Sequence, residues 1–308
     1  TVKGSGVELE GIDFPIPTLT VAIEPKSKGD EDKLGNAIGR LLEEDPTLRL
    51  EKNVEIRQTL LTGMGEAHID ITIERLQRKF GVEVRTTEAK VPYRETIKGS
   101  ATRVEGKHKK QSGGHGQYGH VFIDIAPFPE GEFEFTETIF GGSVPRQYIP
   151  AVEKGIRESM TEGILAGYPV TNIKVNLQDG SFHPVDSSEM AFKIAASLAF
   201  RKACEQAKPV LLEPIMNVEI QVPDQFMGDI MGDLNSKRGR ILGMEKSGNM
   251  QLIKANVPLS EMYRYAIDLK SITQGRGSFV MEFARYEEVP ASLAEKIIAQ
   301  AKAEKEKE

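Results

Sequence analysis

The feature that most constrains the fold is an order of elements that occurs twice. Residues 19–23 alternate between apolar and polar side chains as in a half-buried strand, and residues 34–42 then carry apolar side chains at helical spacing. Strand-like segments in residues 48–61, an amphipathic helix in residues 69–80 and a strand in residues 81–85 follow. This pattern predicts a β-α-β-β-α-β module, the ferredoxin-like split βαβ.

The same order returns near the C-terminus. Residues 216–222 alternate as a strand, residues 223–239 are predicted to form a helix that opens at proline and ends at glycine, and residues 241–256 form a hairpin. A second helix is predicted over residues 260–271 and a last strand over residues 279–283. Two modules of about 75 residues each therefore flank a different middle region, which predicts three domains and an α+β fold class.

The middle region, residues 92–209, combines several strands with two helices. The longer helix is predicted from residue 187 to about residue 207. Asp186 as the N-cap and Glu189 three residues later have the spacing of a capping box. A last helix with one apolar face over residues 293–301 is expected to pack on this middle domain.

Composition narrows the class of protein. The chain has 308 residues, 39% hydrophobic residues and a formal charge of -6, which suits a soluble globular protein of two or three domains and disfavours a general nucleic-acid coat. No run approaches the ~18 apolar residues of a membrane span. The single cysteine, Cys204, cannot form an internal disulfide and is expected to be a small core residue. These features predict a cytoplasmic protein without a membrane partner.

A glycine-rich segment offers a dinucleotide-binding motif that its context disfavours. Residues 114–119 match Gly-x-Gly-x-x-Gly, which binds a pyrophosphate only where a helix follows. Residues 120–125 instead alternate like a strand. The segment is therefore predicted to be a tight, exposed loop, and a nucleotide-dependent enzyme that uses it stays open only as a lesser alternative.

This loop lies in the most basic part of the chain. Residues 101–120 contain one acid, Glu105, and four strong bases. Glycine, histidine, tyrosine and lysine together suit contacts with RNA backbone and loops, whereas a solvated loop is the simpler explanation of a charge run. The histidines of this stretch follow no ligand spacing and have no cysteine nearby, so no metal site is predicted. The bases are Arg103, Lys107, Lys109 and Lys110, and the histidines are His108, His115 and His120.

Ser181, His183 and Asp186 raise the possibility of a hydrolase triad, but all three lie in one short loop. Triads join residues from separate elements and need an oxyanion hole, and here Asp186 has a helix to cap while Ser187 and Ser188 would fall in the first helical turn. His183, beside Pro184, is left without a core role and could reach an external partner.

Two further segments are predicted to lack catalytic chemistry. Residues 63–68 form a strand-to-helix turn with Glu66 in the first helical turn, despite the presence of His68. No Gly-x-x-x-x-Gly-Lys-Ser/Thr loop occurs, so the chain has no P-loop for a nucleoside triphosphate.

Six segments, in order along nearly the whole chain, resemble bacterial elongation factor G, the ribosomal translocase. They are Gly63-Met-Gly-Glu-Ala-His-Ile-Asp70, Val91-Pro-Tyr-Arg-Glu-Thr96, Gln111-Ser-Gly-Gly-His-Gly-Gln-Tyr-Gly-His120, His183-Pro-Val-Asp-Ser-Ser-Glu189, Lys208-Pro-Val-Leu-Leu-Glu-Pro214 and Pro258-Leu-Ser-Glu-Met262. The resemblance implies a C-terminal fragment with domains III, IV and V and without the GTPase domain. The implied boundaries are 1–13 for the end of domain II or a linker, 14–92 for domain III, 93–209 for domain IV, 210–288 for domain V and 289–308 for a helix on domain IV with a charged tail.

The resemblance also implies a division of labour. The two ferredoxin-like domains would flank a domain of the ribosomal protein S5 domain 2-like type, whose tip enters the decoding site beside transfer RNA and messenger RNA. The expected partners are both ribosomal subunits, and the protein is expected to be a monomer. The fragment itself is expected to bind no cofactor or metal and to hydrolyse no GTP, whereas its full-length parent would be a GTPase with GTP and Mg²⁺. The tip residues implied to contact RNA are Ser112, Gly113, Gly114, His115, Gly116, Gln117, His183, Pro184 and Asp186.

Two tip positions also resemble the second, paralogous type of elongation factor G. The main translocases commonly have arginine or lysine at the position of His115 and an acidic residue at the position of Pro184. The alternative to main-line translocation is ribosome recycling, or ribosome protection in the manner of the tetracycline-resistance factors. The glycine-rich loop favours the translocase.

Overall fold

A computed structural model describes Gly11, residues 14–110 and residues 116–305. It divides into two compact units. Unit 1 contains the described residues up to Val91 together with Ile215–Arg285, and unit 2 contains Pro92–Pro214 and the described residues from Tyr286 onward. Among the helices in these described stretches, none is long and apolar enough to cross a membrane.

The first module of unit 1 has the predicted β-α-β-β-α-β order. Its four strands form an antiparallel sheet in the order β2-β3-β1-β4. The apolar side of α1 is buried against this sheet, because Leu34, Ile38 and Leu41 recur on one helical face. The elements are β1 (Leu19–Pro25), α1 (Glu31–Glu44), β2 (Arg49–Asn53), β3 (Gln58–Gly63), α2 (Glu66–Phe80) and β4 (Val84–Thr87).

The order of strands in the other sheet repeats this arrangement as β11-β12-β10-β13, so both ferredoxin-like modules are confirmed. One predicted helix is wrong in detail: residues 260–271 form two helices, because the backbone leaves the helical range at Arg264, with φ -108° and ψ 4°. The elements of this part of the chain are β10 (Pro209–Pro223), α5 (Met227–Ser236), β11 (Arg240–Ser247), β12 (Met250–Pro258), α6 (Leu259–Met262), α7 (Tyr265–Thr273) and β13 (Ser278–Glu288).

Unit 2 is built on a four-stranded sheet in the order β6-β7-β9-β8, in which β8 and β9 are parallel and the other pairs antiparallel. Two helices and the buried face of this sheet share one apolar core, which includes Cys204 as predicted. Burial raises the pKa of the Cys204 thiol far above its ordinary range. The elements are β5 (Arg94–Ile97), β6 (Ala101–Lys110), β7 (Gln117–Pro127), β8 (Phe133–Glu137), α3 (Ile149–Glu162), β9 (Ile173–Ser181), α4 (Glu189–Gln206) and α8 (Ala291–Lys305).

Helix α4 packs closely on the hairpin of β6 and β7 because two strand residues there are glycines. A Cβ atom on Gly106 would lie 2.1 Å from the carbonyl oxygen of Ala195, and one on Gly119 would lie 2.3 Å from that of Ala191. Gly119, the last glycine of the dinucleotide-like motif, therefore allows a helix backbone to approach a strand. Because Gly119 lies inside β7 and no helix follows the motif, the dinucleotide-binding hypothesis is wrong.

The predicted N-cap of α4 is also wrong. The helix begins at Glu189, and Ser188, in an extended conformation, is the N-cap, with Oγ accepting a hydrogen bond of 3.2 Å from the backbone N–H of Ala191. Asp186 lies two residues too early to cap the helix. Its carboxylate instead accepts a hydrogen bond from the backbone N–H of Gly116, at the end of the sheet.

Unit 2 also contains a buried carboxylate that sequence reasoning missed. Glu95 on β5 is 1% exposed. Its two carboxylate oxygens accept hydrogen bonds of 2.6 to 3.1 Å from five consecutive backbone N–H groups, those of residues 164–168. These donors replace the water that a buried carboxylate loses. Glu95 thereby fastens β5 to the segment that follows α3.

Candidate nucleic-acid interface

Two chain segments meet at one end of the sheet of unit 2. The first is the start of β7, with Gly116 and Gln117, and the second is the segment from Phe182 to Ser188 between β9 and α4. The structure therefore brings together five of the nine predicted tip residues: Gly116, Gln117, His183, Pro184 and Asp186. The other four, Ser112, Gly113, Gly114 and His115, lie outside the described residues. We call the described part of this region the tip.

Asp186 and Ser187 fasten the two segments of the tip to each other. The Asp186 carboxylate accepts a hydrogen bond of 3.0 Å from the backbone N–H of Gly116, and the Asp186 carbonyl accepts one of 2.8 Å from the N–H of Tyr118. The Ser187 hydroxyl donates to the carbonyl of Tyr118 over 2.9 Å. A Cβ atom on Gly116 would lie 3.0 Å from the Asp186 carboxylate, so glycine suits this approach. We call these three hydrogen bonds the clasp.

His183 lies in the turn next to the clasp, and its side chain is 52% exposed. Its Nδ1 atom accepts hydrogen bonds from the backbone N–H groups of Val185, at 3.3 Å, and Asp186, at 3.2 Å. Within residues 14–110 and 116–305, the Nε2 atom has no hydrogen-bond partner. The ring thus organises the turn with one nitrogen and leaves the other toward solvent.

Exposed apolar side chains occur in the segment that carries His183 and at the start of α4. Phe182 is 45% exposed, Val185 64% and Met190 58%. Single exposed apolar residues are ordinary, but several within one turn and the start of the following helix form a surface on which a base or ribose can pack. Pro184, which is also exposed, lies between two of them.

Strand β6, which leads toward the tip, carries exposed basic residues. Lys107, Lys109 and Lys110 are exposed on β6, and none of them forms a salt bridge with the described residues. Gln117, on the facing strand, is held by a hydrogen bond of 2.9 Å between its Oε1 atom and His108 Nε2. Lysines without acidic partners are suited to phosphate contacts, which position a nucleic acid without reading its sequence.

The geometry excludes the triad. The Ser181 hydroxyl lies 2.7 Å from both the Tyr118 hydroxyl and His120 Nδ1, and His120 Nε2 lies 2.9 Å from Glu105 Oε1. Ser181 thus belongs to a network across the sheet, whereas His183 contacts its own turn. Among the residues that the structure describes, no group of three or more histidine, cysteine or acidic side chains is placed to hold a metal ion.

The segment at residues 63–68, for which no chemistry was predicted, is a strand-to-helix turn in unit 1. Gly65 precedes the first residue of α2, Glu66. His68 Nδ1 accepts a hydrogen bond of 3.1 Å from the N–H of Met64, and His68 Nε2 lies 3.0 Å from Asp45 Oδ2. Both ring nitrogens are occupied within the protein, so this histidine has a structural role.

Comparison with known protein families agrees with this architecture. Residues 14–88 match the model of elongation factor G domain III, residues 89–208 that of elongation factor G domain IV, and residues 210–297 that of the elongation factor G C-terminus. The chain belongs to the elongation factor G family. The three matches cover the domain IV segment that carries the tip, and none of the three is a GTPase domain.

A crystal structure of a protein from Thermus thermophilus is similar to this member of the family. The two share 45% sequence identity with a TM-score of 0.83, and the match covers 97% of this chain and 46% of the other. The chain thus spans about half the length of that protein. The glycine, histidine and serine positions of the tip lie in a segment that elongation factor G domain IV accounts for.

Proposed function

We propose that this chain is the ribosome-binding C-terminal part of an elongation factor G, and that its tip contacts RNA in the decoding site of the ribosome. The observation that carries this proposal is the clasp, which joins two exposed segments of domain IV into one surface beside an outward-facing His183. Family membership supplies the ribosome as the partner, and the three exposed lysines of β6 suit its phosphates.

The tip would act through where it binds and would catalyse no covalent step. Among the described residues no group is placed to hold a metal ion. The tip would promote movement of transfer RNA and messenger RNA by occupying space and by holding codon–anticodon geometry. The GTP-dependent step would belong to a full-length cytoplasmic parent, which would bind GTP and Mg²⁺ through its GTPase domain.

A second candidate function would use the same surface, the tip. Pro184 and His115 resemble the paralogous type of elongation factor G, for which the alternative to main-line translocation is a role in ribosome recycling or ribosome protection. Pro184 is exposed at the tip, next to His183, so it changes the surface offered to RNA. The two functions differ in what the full-length parent does after it binds, and they share the binding site.

Co-sedimentation with purified 70S ribosomes at two salt concentrations tests the binding proposal. The wild-type chain should pellet with ribosomes, and full-length elongation factor G should displace it. Lys107→Glu combined with Lys109→Glu should weaken binding and flatten its salt dependence, because each lost phosphate contact removes one released counterion. Lys296→Glu combined with Lys302→Glu, which changes two exposed lysines on α8, is the matched control and should bind as the wild type does.

Absence of binding by the folded wild-type chain, or equal losses in the β6 variant and the α8 control, would contradict the proposal. Single-turnover translocation and subunit-splitting assays with the full-length parent then separate translocation from recycling.

A further inference from the structure

His183 offers two ring nitrogens that the turn treats differently. Two backbone N–H groups point at Nδ1, from Val185 at 3.3 Å and from Asp186 at 3.2 Å. The Asp186 Oδ2 atom lies 3.4 Å from the same nitrogen, which makes it the longest of the three contacts. An atom that accepts two hydrogen bonds presents its lone pair to them and carries no hydrogen. In the neutral imidazole the single hydrogen is therefore on Nε2.

The position of the ring is fixed as well as its tautomer. The Ser187 hydroxyl accepts a hydrogen bond of 2.9 Å from the N–H of His183, and the N–H of Ser187 donates to the His183 carbonyl over 3.1 Å. The clasp then joins this turn to β7 through Asp186 and Ser187. Both ends of the turn are thus held by hydrogen bonds. Because Nδ1 faces the backbone of the turn, Nε2, at the other edge of the ring, faces away from it.

We infer that this turn holds His183 as the Nε2–H tautomer, and that the tip thereby presents an uncharged hydrogen-bond donor to an acceptor atom of RNA. The inference rests on the proposed function and specifies the chemistry of its contact. Asp186 is a positioning residue in this arrangement, because its backbone N–H faces Nδ1 and its carboxylate fastens the turn to Gly116.

An uncharged donor and a cation differ in how they affect the salt dependence of binding. A lysine or arginine that contacts a phosphate releases a counterion and steepens the salt dependence of binding, whereas a neutral N–H donor releases none. In this tip the exposed lysines of β6 supply the charge, and His183 supplies a directional contact. The acceptor is a phosphate oxygen, a ribose oxygen or a base atom of RNA.

The tautomer is tested on the chain alone by ¹⁵N NMR of the histidine side chains near pH 7.5, with the His183 signals assigned from their loss in His183→Asn. The expected signature is a protonated Nε2 and an unprotonated Nδ1. A protonated Nδ1, with or without a protonated Nε2, would overturn the inference. Asp186→Ala should shift the signature toward a mixture of tautomers, and Asp186→Asn, which keeps an acceptor for Gly116, should restore it.

The donor is tested by ribosome co-sedimentation of His183→Gln and His183→Asn. The glutamine amide nitrogen can take the place of Nε2, whereas the asparagine amide reaches only the place of Nδ1. We expect His183→Gln to bind within about twofold of the wild type and His183→Asn to bind about 3- to 10-fold more weakly, the range of one lost hydrogen bond. The slope of binding against salt should be unchanged in both.

Equal losses in the two variants, no loss in His183→Asn, or a flatter salt slope would each overturn the donor role. No ribosome binding by the wild-type chain would instead overturn the proposed function and the RNA contact with it, while the NMR result still decides the tautomer. Chemical probing of ribosomal RNA in the wild-type and His183→Asn complexes identifies the acceptor. Lost protection from 2′-hydroxyl acylation indicates a ribose, lost protection from dimethyl sulfate indicates a base, and weaker binding with neither change indicates a phosphate.

Discussion

His68 in unit 1 and His183 in unit 2 occupy comparable places. Each lies where a strand gives way to a helix, and each accepts backbone hydrogen bonds at Nδ1 that shape the turn. They differ at Nε2, which contacts Asp45 in the first case and has no partner among the described residues in the second. The side chain of His68 is 20% exposed, and that of His183 is 52% exposed.

A histidine that accepts backbone hydrogen bonds at Nδ1 can therefore serve either the stability of the protein or the recognition of another molecule. A histidine that shapes a turn uses one nitrogen for the backbone and retains the other. Where a carboxylate of the same protein contacts the second nitrogen, both nitrogens of the ring have hydrogen-bond partners. Where the second nitrogen faces solvent, a contact with another molecule is available. Substitutions in both units test this distinction.

The largest effect is expected from Gly119→Ala, which alters β7 directly after Tyr118, a residue of the clasp. The new methyl group would meet the Ala191 carbonyl at 2.3 Å, so α4 or β7 must move. We expect a loss of about 3 kcal/mol in the free energy of unfolding of unit 2, as for overpacked cores, together with weaker ribosome binding. Denaturant unfolding measures the first effect and co-sedimentation the second.

Gly35→Ala is the matched control for that change. Nothing lies within 4 Å of a Cβ atom at Gly35, and this residue is inside α1. Alanine should therefore stabilise the helix by up to about 1 kcal/mol. Equal destabilisation by the two substitutions would show that close packing of α4 on β7 is not what Gly119 provides.

The second effect separates the two histidines directly. His68→Ala removes hydrogen bonds at both nitrogens, including that to Asp45, and should lower the free energy of unfolding by about 2 kcal/mol. His183→Ala should cost less than about 1 kcal/mol, because its turn is exposed and has the Ser187 contacts in addition. Thermal unfolding of the two variants measures both quantities.

Ribosome binding should show the reverse order. His183→Ala should weaken it, and His68→Ala should leave it unchanged at a temperature at which the variant is folded. The distinction between the two histidines fails if both variants lose the same stability and the same binding.

A smaller effect is expected from opening the clasp. Asp186→Ala removes one acceptor of a backbone N–H and should lower the free energy of unfolding by about 1 kcal/mol. Hydrogen exchange of the Gly116 amide should accelerate in this variant and stay near the wild-type rate in Asp186→Asn. Unchanged exchange in Asp186→Ala would show that the clasp does not hold the two segments together.

The smallest effect is a pH dependence at the His68 turn. The hydrogen bond from the Thr47 hydroxyl, aided by the Thr47 N–H and by His68, holds the pKa of Asp45 below its ordinary value. Because the folded pKa is lowered, the stabilisation is complete above the unfolded pKa of about 3.9 and is lost as pH falls through the folded value. The wild type should therefore lose stability more steeply than Asp45→Asn below about pH 4. Denaturant midpoints between about pH 3 and 6 measure this difference, and parallel curves would contradict it.

The fold was predictable where local pattern and packing coincide. The alternation at residues 19–23 and the helical spacing at residues 34–42 predicted β1 and α1, because one face of each is buried in the same core. The repeat of this order predicted the second module. Cys204 followed from its apolar surroundings in a helical pattern, and it is fully buried.

The errors have physical causes. Asp186 and Ser188 are both good N-cap residues, and the sequence does not show which one precedes the first helical residue when Gly116 competes for the Asp186 carboxylate. The buried role of Glu95 could not be predicted either, because its hydrogen-bond partners are distant in sequence. Its five partners lie in residues 164–168, and no local signal connects a carboxylate with backbone groups about seventy residues away.

The amino-acid pattern alone predicts the α+β class, the repeated ferredoxin-like order and the two segments that carry the tip. These depend on periodicity, turn residues and family likeness, which are local properties of the chain. Three features follow from the folded chain: Asp186 is part of a clasp, Gly119 accommodates a helix, and His68 is satisfied while His183 faces outward. Hydrogen-bond partners between distant segments depend on how the chain folds in space, so a residue's type does not specify whether its second nitrogen is used.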